Sequence, residues 1–324
     1  MATRIRRVLV AIRDLHHPPR IELRKAAQIA RAAKSTVELF HVVDVPDRVD
    51  MDDRTLAAHA RAHALAKIDK AEQRLKVFSQ LTELRGLAVT CRVNADYPPH
   101  EAIIRRAVKS RADLLIVATR AKGLVGRLFL RNTDWELIRQ CPCPVLLVKS
   151  QRPYDKPVVL AAVDPFHTHS KPADLDNRVL GAGGTIARLF KGSLHVFHAY
   201  MPLATYAPMT PGAIPISLPI EVEQARTQFL AGELNRLARS AGVPANAQHL
   251  YMGLVPGELC AAAKKHGAGV VVMGAISRSA LRRAFIGNTA EDVLDKLTCD
   301  VLVLKPKGFQ TKVAAREYKY SFTL

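Results

Sequence analysis

The chain has 324 residues, a length that allows about two ordinary domains, each able to close its own hydrophobic core. Hydrophobic residues make up 48% of the chain, which excludes a disordered protein, and no apolar run is long enough to span a bilayer. The formal net charge of +19 would attract a polyanion such as nucleic acid, anionic lipid or nucleotide. The N-terminus lacks the pattern of a signal peptide, so we expect a cytoplasmic protein.

Short aliphatic runs alternate with helical stretches through the first half of the chain. Strands are predicted at residues 7–12, 36–43, 87–93, 114–118 and 145–149, and helices at residues 21–34, 53–84, 102–109 and 133–140. Continuous apolar strands that are joined by helices of this length indicate a parallel sheet that is covered on both faces.

The second half repeats this order of elements. Its predicted strands are residues 158–163, 193–200, 247–252, 270–274 and 301–304, and its predicted helices are residues 175–190, 220–240, 258–266 and 289–297. The fold class is therefore α/β, with two tandem doubly wound domains of the Rossmann-like kind. Each domain is expected to hold a mainly parallel five-stranded sheet with helices on both faces.

A long internal repeat supports this duplication. The stretch from Ala112 to Lys149 recurs, without a gap, as the stretch from Ala268 to Lys305. The period is close to half of the chain, which is too long for a solenoid and indicates a whole duplicated domain. We therefore predict one domain at residues 1–150, a second at residues 151–309 and a tail at residues 310–324.

Candidate binding residues lie where the predicted strands of the second half end, because ligands of doubly wound sheets bind beyond the carboxyl ends of the strands. Asp164 follows the first strand and can accept hydrogen bonds from a ribose or a base. A helix that begins near Thr289 offers free N–H groups and a favourable dipole to an anion. The residues assigned to this site are Asp164, Ala199, Gly274, Ser277, Arg278, Ser279, Gly287, Asn288 and Thr289.

The glycines and the cation of this set have separate expected roles. Gly274 allows a sharp turn at the strand end, and Gly287 allows the backbone to approach a ligand closely. Arg278 and the hydroxyl groups of the two neighbouring serines can contact phosphate oxygens.

The pattern after the fourth strand of the second half resembles that of the universal stress protein family. Nucleotide-binding members of the family carry G-x2-G-x9-G-[ST] there, and Gly274, Ser277 and Gly287 keep its spacing. Two positions depart from the pattern, because Ser277 replaces the second glycine and Asn288 replaces the Ser or Thr. The segment from Asn132 to Lys149 resembles the corresponding segment of the tandem, two-domain members of the family.

This resemblance implies a binding or signalling protein of the stress response, with an adenine nucleotide such as ATP as the ligand of the second domain. It does not imply a defined catalytic step. The sequence has no Ser–His–Asp elbow, acid pair or Walker motif, which favours a non-enzymatic function, although weak ATP hydrolysis stays open. The two domains are expected to pair within the chain, and a homodimer stays open.

The first half differs from the second at the positions that define this site. The replaced positions are Arg13 for Asp164, Ala118 for Gly274 and Arg131 for Gly287. An aspartate, Asp14, is displaced by one residue from the position of Asp164. A bulky arginine at a position of close approach would fill the phosphate space, so we expect no nucleotide in the first domain. A structural, dimer-forming or partner-binding role is expected instead.

Two other functions stay open. The stretch from Met201 to Pro219 contains five prolines and no charged residue, so the first alternative is a carrier or sensor of a hydrophobic or lipid-like ligand with this stretch as its lid. The second alternative is a nucleic-acid-binding adaptor that uses the positive charge. His59 and His63 stand four residues apart on a predicted helix, but no third ligand is visible nearby, so no metal site is predicted there.

Overall fold

The protein forms two compact units, of which the first combines residues from both ends of the chain. The computed structural model describes residues 4–44, 54–119, 132–166, 174–202, 219–275 and 293–315, with residues 54–61 as backbone only. The first unit lies within residues 4–154 and 300–315, and the second unit lies within residues 155–299. No helix in the described ranges has both the length and the apolar character needed to cross a membrane.

The first unit is a doubly wound α/β unit. Its first five strands are β1 (Arg7–Ala11), β2 (Thr36–Asp44), β3 (Val89–Asp96), β4 (Leu114–Ala118) and β5 (Val145–Val148). Its helices are α1 (Arg20–Ala33), α2 (Arg54–Ser79), α3 (Pro99–Lys109) and α4 (Asn132–Gln140). The strands pair in parallel in the order β3-β2-β1-β4-β5, so the carboxyl ends of all five lie at one edge of the sheet.

The second unit repeats this architecture. Its strands are β6 (Val158–Ala162), β7 (Ser193–Tyr200), β8 (Gln248–Met252) and β9 (Ala268–Gly274). Its helices are α5 (Leu175–Leu189), α6 (Ile220–Ser240) and α7 (Val255–Lys265), and residues 293–296 are also helical. The strands pair in parallel in the order β9-β6-β7-β8. The predicted fold class, two tandem doubly wound α/β domains, is confirmed.

The last strand, β10 (Asp300–Leu304), belongs to the first unit. It pairs antiparallel with β5, with Val301 opposite Leu147 and Val303 opposite Val145, and all five of its residues are buried. The sequence analysis placed this strand fifth in the second domain. Among the described residues, the first unit therefore has six strands and the second has four, instead of five in each. The periodicity of the sequence predicts that a segment is a strand, but it does not predict which neighbour the strand will pair with.

Most other elements lie within a few residues of their predicted positions. The long helix of the first half ends at Ser79, and a separate 3-10 turn covers Thr82–Leu84. Strand β3 runs on to Asp96 because its pairing with β2 continues to Asp44. Helix α7 begins three residues earlier than predicted, because a proline in its first turn is compatible with a helix start.

Candidate functional site

In each unit the first strand leads into a loop at the carboxyl edge of the sheet, where ligands of doubly wound folds bind. In the first unit, the N–H of Ile12 donates to the carbonyl oxygen of Phe40 at 2.8 Å. Nδ1 of His41 lies 2.7 Å from the carbonyl oxygen of Ile12. Burial lowers the pKa of His41, which keeps the ring neutral, so its Nδ1–H can donate to that carbonyl.

The second unit repeats both contacts. The N–H of Val163 donates to the carbonyl oxygen of Phe197 at 3.0 Å, and Nδ1 of His198 lies 3.0 Å from the carbonyl oxygen of Val163. Arg13 and Asp164 are the next residues in the two units, so they occupy equivalent positions. The first unit therefore carries an arginine at the loop position where the second unit carries an aspartate.

Arg13 occupies the strand-end crevice of the first unit. Its guanidinium donates to the carbonyl oxygen of Ala118, at the end of β4, at a distance of 2.5 Å. The same group pairs at 2.7 Å with the carboxylate of Asp134, a residue of the first turn of α4 whose side chain is 1% exposed. The arginine thus connects the end of β4 to α4 across the space where ligands of doubly wound sheets bind.

Asp134 is a site residue that the sequence analysis missed. The internal repeat aligns Asp134 with Ala290, so the acid occurs only in the half that carries Arg13. An arginine and an acid that are both confined to one half indicate an ion pair that replaces a ligand site. The sequence contains this difference between the halves, but it does not show that the loop after β1 and the start of α4 come together.

Asp164 presents a carboxylate at the equivalent position of the second unit. Its side chain is 35% exposed, and its N–H donates to Oδ1 of Asp176 at 3.2 Å, which orients the loop after β6. Nδ1 of His198 lies 4.0 Å from Oδ1 of Asp164. The ring of Phe166 lies 5.3 Å from the ring of His198 and 5.9 Å from that of Phe229. A carboxylate beside aromatic rings is suited to a ligand with hydroxyl groups and a flat base.

Ala199 and Gly274 lie near the carboxyl ends of the neighbouring strands. Ala199 is buried in β7, and Gly274 is the last residue of β9. A Cβ atom on Gly274 would lie 2.6 Å from Cδ2 of Leu175, the first residue of α5. Gly274 is not among the described glycines with positive φ, so the close approach of α5 is what requires a glycine here, rather than a sharp turn. Its proximity to a ligand stays a prediction.

The remaining predicted site residues lie outside the described residues. They are Ser277, Arg278, Ser279, Gly287, Asn288 and Thr289. Arg131 and most of the stretch from Met201 to Pro219 also lie outside them. The roles of these residues stay predictions, as does the lid over a hydrophobic ligand. The nucleic-acid alternative likewise stays a prediction.

A cavity of about 700 Å³ lies in the first unit. Apolar side chains of α2, β3 and α3 line it together with Arg92, Arg105 and the segment from Thr311 to Ala315. The guanidinium of Arg105 donates to both oxygens of the buried Asp96 carboxylate, at 2.9 and 2.8 Å. This ion pair fixes the position of the guanidinium at the cavity wall.

Both halves of the chain match one protein family. The model of the universal stress protein family matches residues 4–149 and 158–305, which is most of each half. The chain belongs to the universal stress protein family. The resemblance predicted from the motif after β9 is therefore confirmed, and so is the tandem arrangement of two family domains.

Several known proteins are similar to most of this chain. The chain is 32% identical to universal stress protein E of Escherichia coli over 70% of this chain and 72% of that protein. It is 30% identical to universal stress protein E of Photorhabdus laumondii over 71% and 73% of the two chains. A Pseudomonas aeruginosa protein of unknown function has a similar solved structure, with a TM-score of 0.68, 27% identity and 93% of each chain covered. A universal stress protein of Archaeoglobus fulgidus shares the fold, with a TM-score of 0.58 and 14% identity.

Proposed function

We propose that this protein is a cytoplasmic, non-catalytic binding protein of the stress response that holds an adenine nucleotide such as ATP in its second half only. The first half supplies a structural or partner-binding surface. The proposal contains no turnover step.

The reversal of charge at equivalent loop positions carries this proposal. In the first unit, Arg13 is bonded to Ala118 and Asp134 across the crevice, so a ligand would have to break a largely buried ion pair to enter. In the second unit, the same position holds the carboxylate of Asp164, which can accept hydrogen bonds from ribose hydroxyl groups or an exocyclic amine.

The expected phosphate contacts complete the argument. The spacing from Gly274 to Gly287 places a loop with Arg278 before a predicted helix start, where N–H groups and the helix dipole attract phosphate. In the first half, Arg131 stands where the second half has Gly287. The two halves therefore differ at both the base end and the phosphate end of the proposed site.

Isothermal titration calorimetry of the full chain with ATP tests this proposal. We expect one site per chain, because Arg13 and Arg131 are expected to block the first half. Asp164→Asn should weaken binding by about tenfold or more, since hydrogen bonds to a charged acceptor contribute roughly 1.5–3 kcal/mol. Gly287→Arg, which copies the first half, should abolish binding.

Asp14→Asn is the matched control, because Asp14 lies in the equivalent loop of the first unit, where its carboxylate accepts from the N–H of His16 and lies 3.1 Å from Nδ1 of His17. It should bind ATP like the wild type. Absence of ATP binding by the wild type would remove the nucleotide from the proposal. Two sites per chain, or an equal loss in Asp14→Asn, would show that the first half is not closed.

A further inference from the structure

Three histidine side chains meet at the edge of the second unit that is opposite to Asp164. His195 lies near the start of β7, His249 lies near the start of β8, and His266 caps the C-terminus of α7. In a parallel sheet the strand starts share one edge. Along β7, His195 is four residues from Ala199, or roughly 13 Å at about 3.3 Å per residue. The cluster is therefore separate from the proposed nucleotide site.

The three imidazole rings are close enough to share one ligand. Nδ1 of His195 lies 2.9 Å from Nε2 of His249, and the rings of His249 and His266 stack with centroids 3.9 Å apart. The centroids of His195 and His266 are 5.8 Å apart. One ring nitrogen from each residue can be chosen so that all three lie within 4.8 Å of one another.

All three histidines are half-buried, so their rings are held by the fold and still reachable by an ion from solvent. A neutral imidazole has one nitrogen lone pair available, which is the form that binds a metal ion.

The dipole of α7 and the charge of Lys265 act in opposite directions on a cation bound at the cluster. His266 stands at the C-terminus of α7, where the helix dipole attracts a cation. Lys265 repels a cation, but its ammonium group lies 5.7 Å from the centre of the Tyr251 ring, which draws it to that aromatic face. The cluster itself contains three histidines and no carboxylate. Such a donor set suits zinc, copper or nickel and does not suit calcium or magnesium.

We propose that His195, His249 and His266 form a binding site for a divalent transition-metal ion, with Zn²⁺ as the expected occupant. Three imidazole nitrogens leave a fourth tetrahedral position for water or for a group supplied by a partner. None of the three residues belongs to the proposed nucleotide site, so the two sites can be tested separately.

The required adjustment of the side chains is small. Zinc–nitrogen bonds of about 2.0–2.1 Å at tetrahedral angles separate the ligand nitrogens by roughly 3.3 Å. Nδ1 of His195 and Nε2 of His249 have to move apart slightly from their distance of 2.9 Å. The ligand nitrogen of His266, which starts within 4.8 Å, has to move closer to the other two. Rotations of half-buried side chains supply movements of this size.

Tyr251 is placed to orient one of the ligands. Its hydroxyl group lies 3.1 Å from Nε2 of His266, and its ring stacks on Phe197 with centroids 5.7 Å apart. A histidine that binds a metal usually has its other nitrogen hydrogen-bonded, which fixes the tautomer and the ring direction. We assign this positioning role to Tyr251, with Nδ1 of His266 left to face the metal.

Zinc titration of the untagged full chain, in competition with a chromogenic chelator, tests the site. We expect one Zn²⁺ per chain. His249→Ala should weaken binding by about tenfold or more, and His195→Gln should do the same if His249→Ala does not fold. Co²⁺ bound at the site should show the visible absorption of a tetrahedral centre.

His63→Ala is the matched control, because His63 is exposed on α2 and belongs to the other histidine pair that the sequence offers. It should bind zinc like the wild type, as should Asp164→Asn, whose change affects only the proposed nucleotide site. Absence of zinc binding by the wild type would overturn the metal site. Full binding by folded His249→Ala and His195→Gln, or an equal loss in His63→Ala, would also overturn it.

Discussion

Individual buried charges determine local structure in the first unit, and Asp300 is an example. Its side chain is 0% exposed, and its Oδ2 lies 2.9 Å from Nζ of Lys25, which is itself 2% exposed. The hydroxyl group of Tyr154 donates to Oδ2 at 2.6 Å, and the N–H groups of Lys149 and Ser150 both donate to Oδ1 at 2.8 Å. A buried pair with this many hydrogen bonds is tolerated because its polar atoms are paired.

Replacement of Asp300 by alanine is expected to destabilise the first unit by about 3–5 kcal/mol, because it leaves the ammonium group of Lys25 buried without its carboxylate. Guanidinium denaturation, followed by circular dichroism, measures the loss. Glu233→Ala is the control, since it removes an exposed ion pair with Arg236 on α6 that solvent screens, and it should leave stability nearly unchanged. An equally small effect of both substitutions would show that the buried pair is not required.

At the scale of elements, the contact between α5 and β9 explains a glycine that the sequence analysis attributed to a turn. Leu175 begins α5 and is buried against Gly274 at the end of β9. A Cβ on Gly274 would also lie 2.9 Å from Cγ of Leu175, so the clash involves more than the end of a flexible side chain. The glycine therefore determines how closely the helix approaches the strand.

Gly274→Ala is expected to destabilise the second unit by about 1–3 kcal/mol, because the extra methyl group overpacks the contact with Leu175. Thermal unfolding measures the effect. Gly232→Ala, within α6, is the control: a Cβ there meets no atom within 4 Å, and alanine should stabilise the helix by up to about 1 kcal/mol. Combination of Gly274→Ala with Leu175→Ala should cost less than the sum of the two changes. Strict additivity would argue against the clash.

At the scale of the whole molecule, the first unit is built from two separate stretches of the chain. Strand β10 gives β5 its antiparallel neighbour, with Leu302 opposite Leu146, and carries Asp300 to Lys25. The chain therefore passes through the entire second unit before the sheet of the first unit is complete. This contact has a large sequence separation, and such contacts tend to slow folding.

A protein that ends at residue 154 is therefore expected to be less stable than one in which residue 154 is joined to residues 300–315. Tyr154 contacts Asp300, so a Gly/Ser linker of about six residues, with a mean span of roughly 12–15 Å, is long enough. The joined protein should unfold cooperatively at a higher Tm, because it regains β10 and the partner of Lys25. Equal Tm values for the two proteins would show that β10 adds nothing to the first unit.

The sequence alone determined the class of fold, the duplication and the family, because these depend on periodicity, spacing and a repeat that can be read along the chain. It also predicted that Arg13 replaces Asp164. The tertiary structure decided what depends on contacts between distant residues: the pairing of Arg13 with Asp134, the placement of β10 in the first unit, and the meeting of His195, His249 and His266. Local patterns cannot report such contacts, because side chains far apart in the sequence become neighbours only when strands and helices pack.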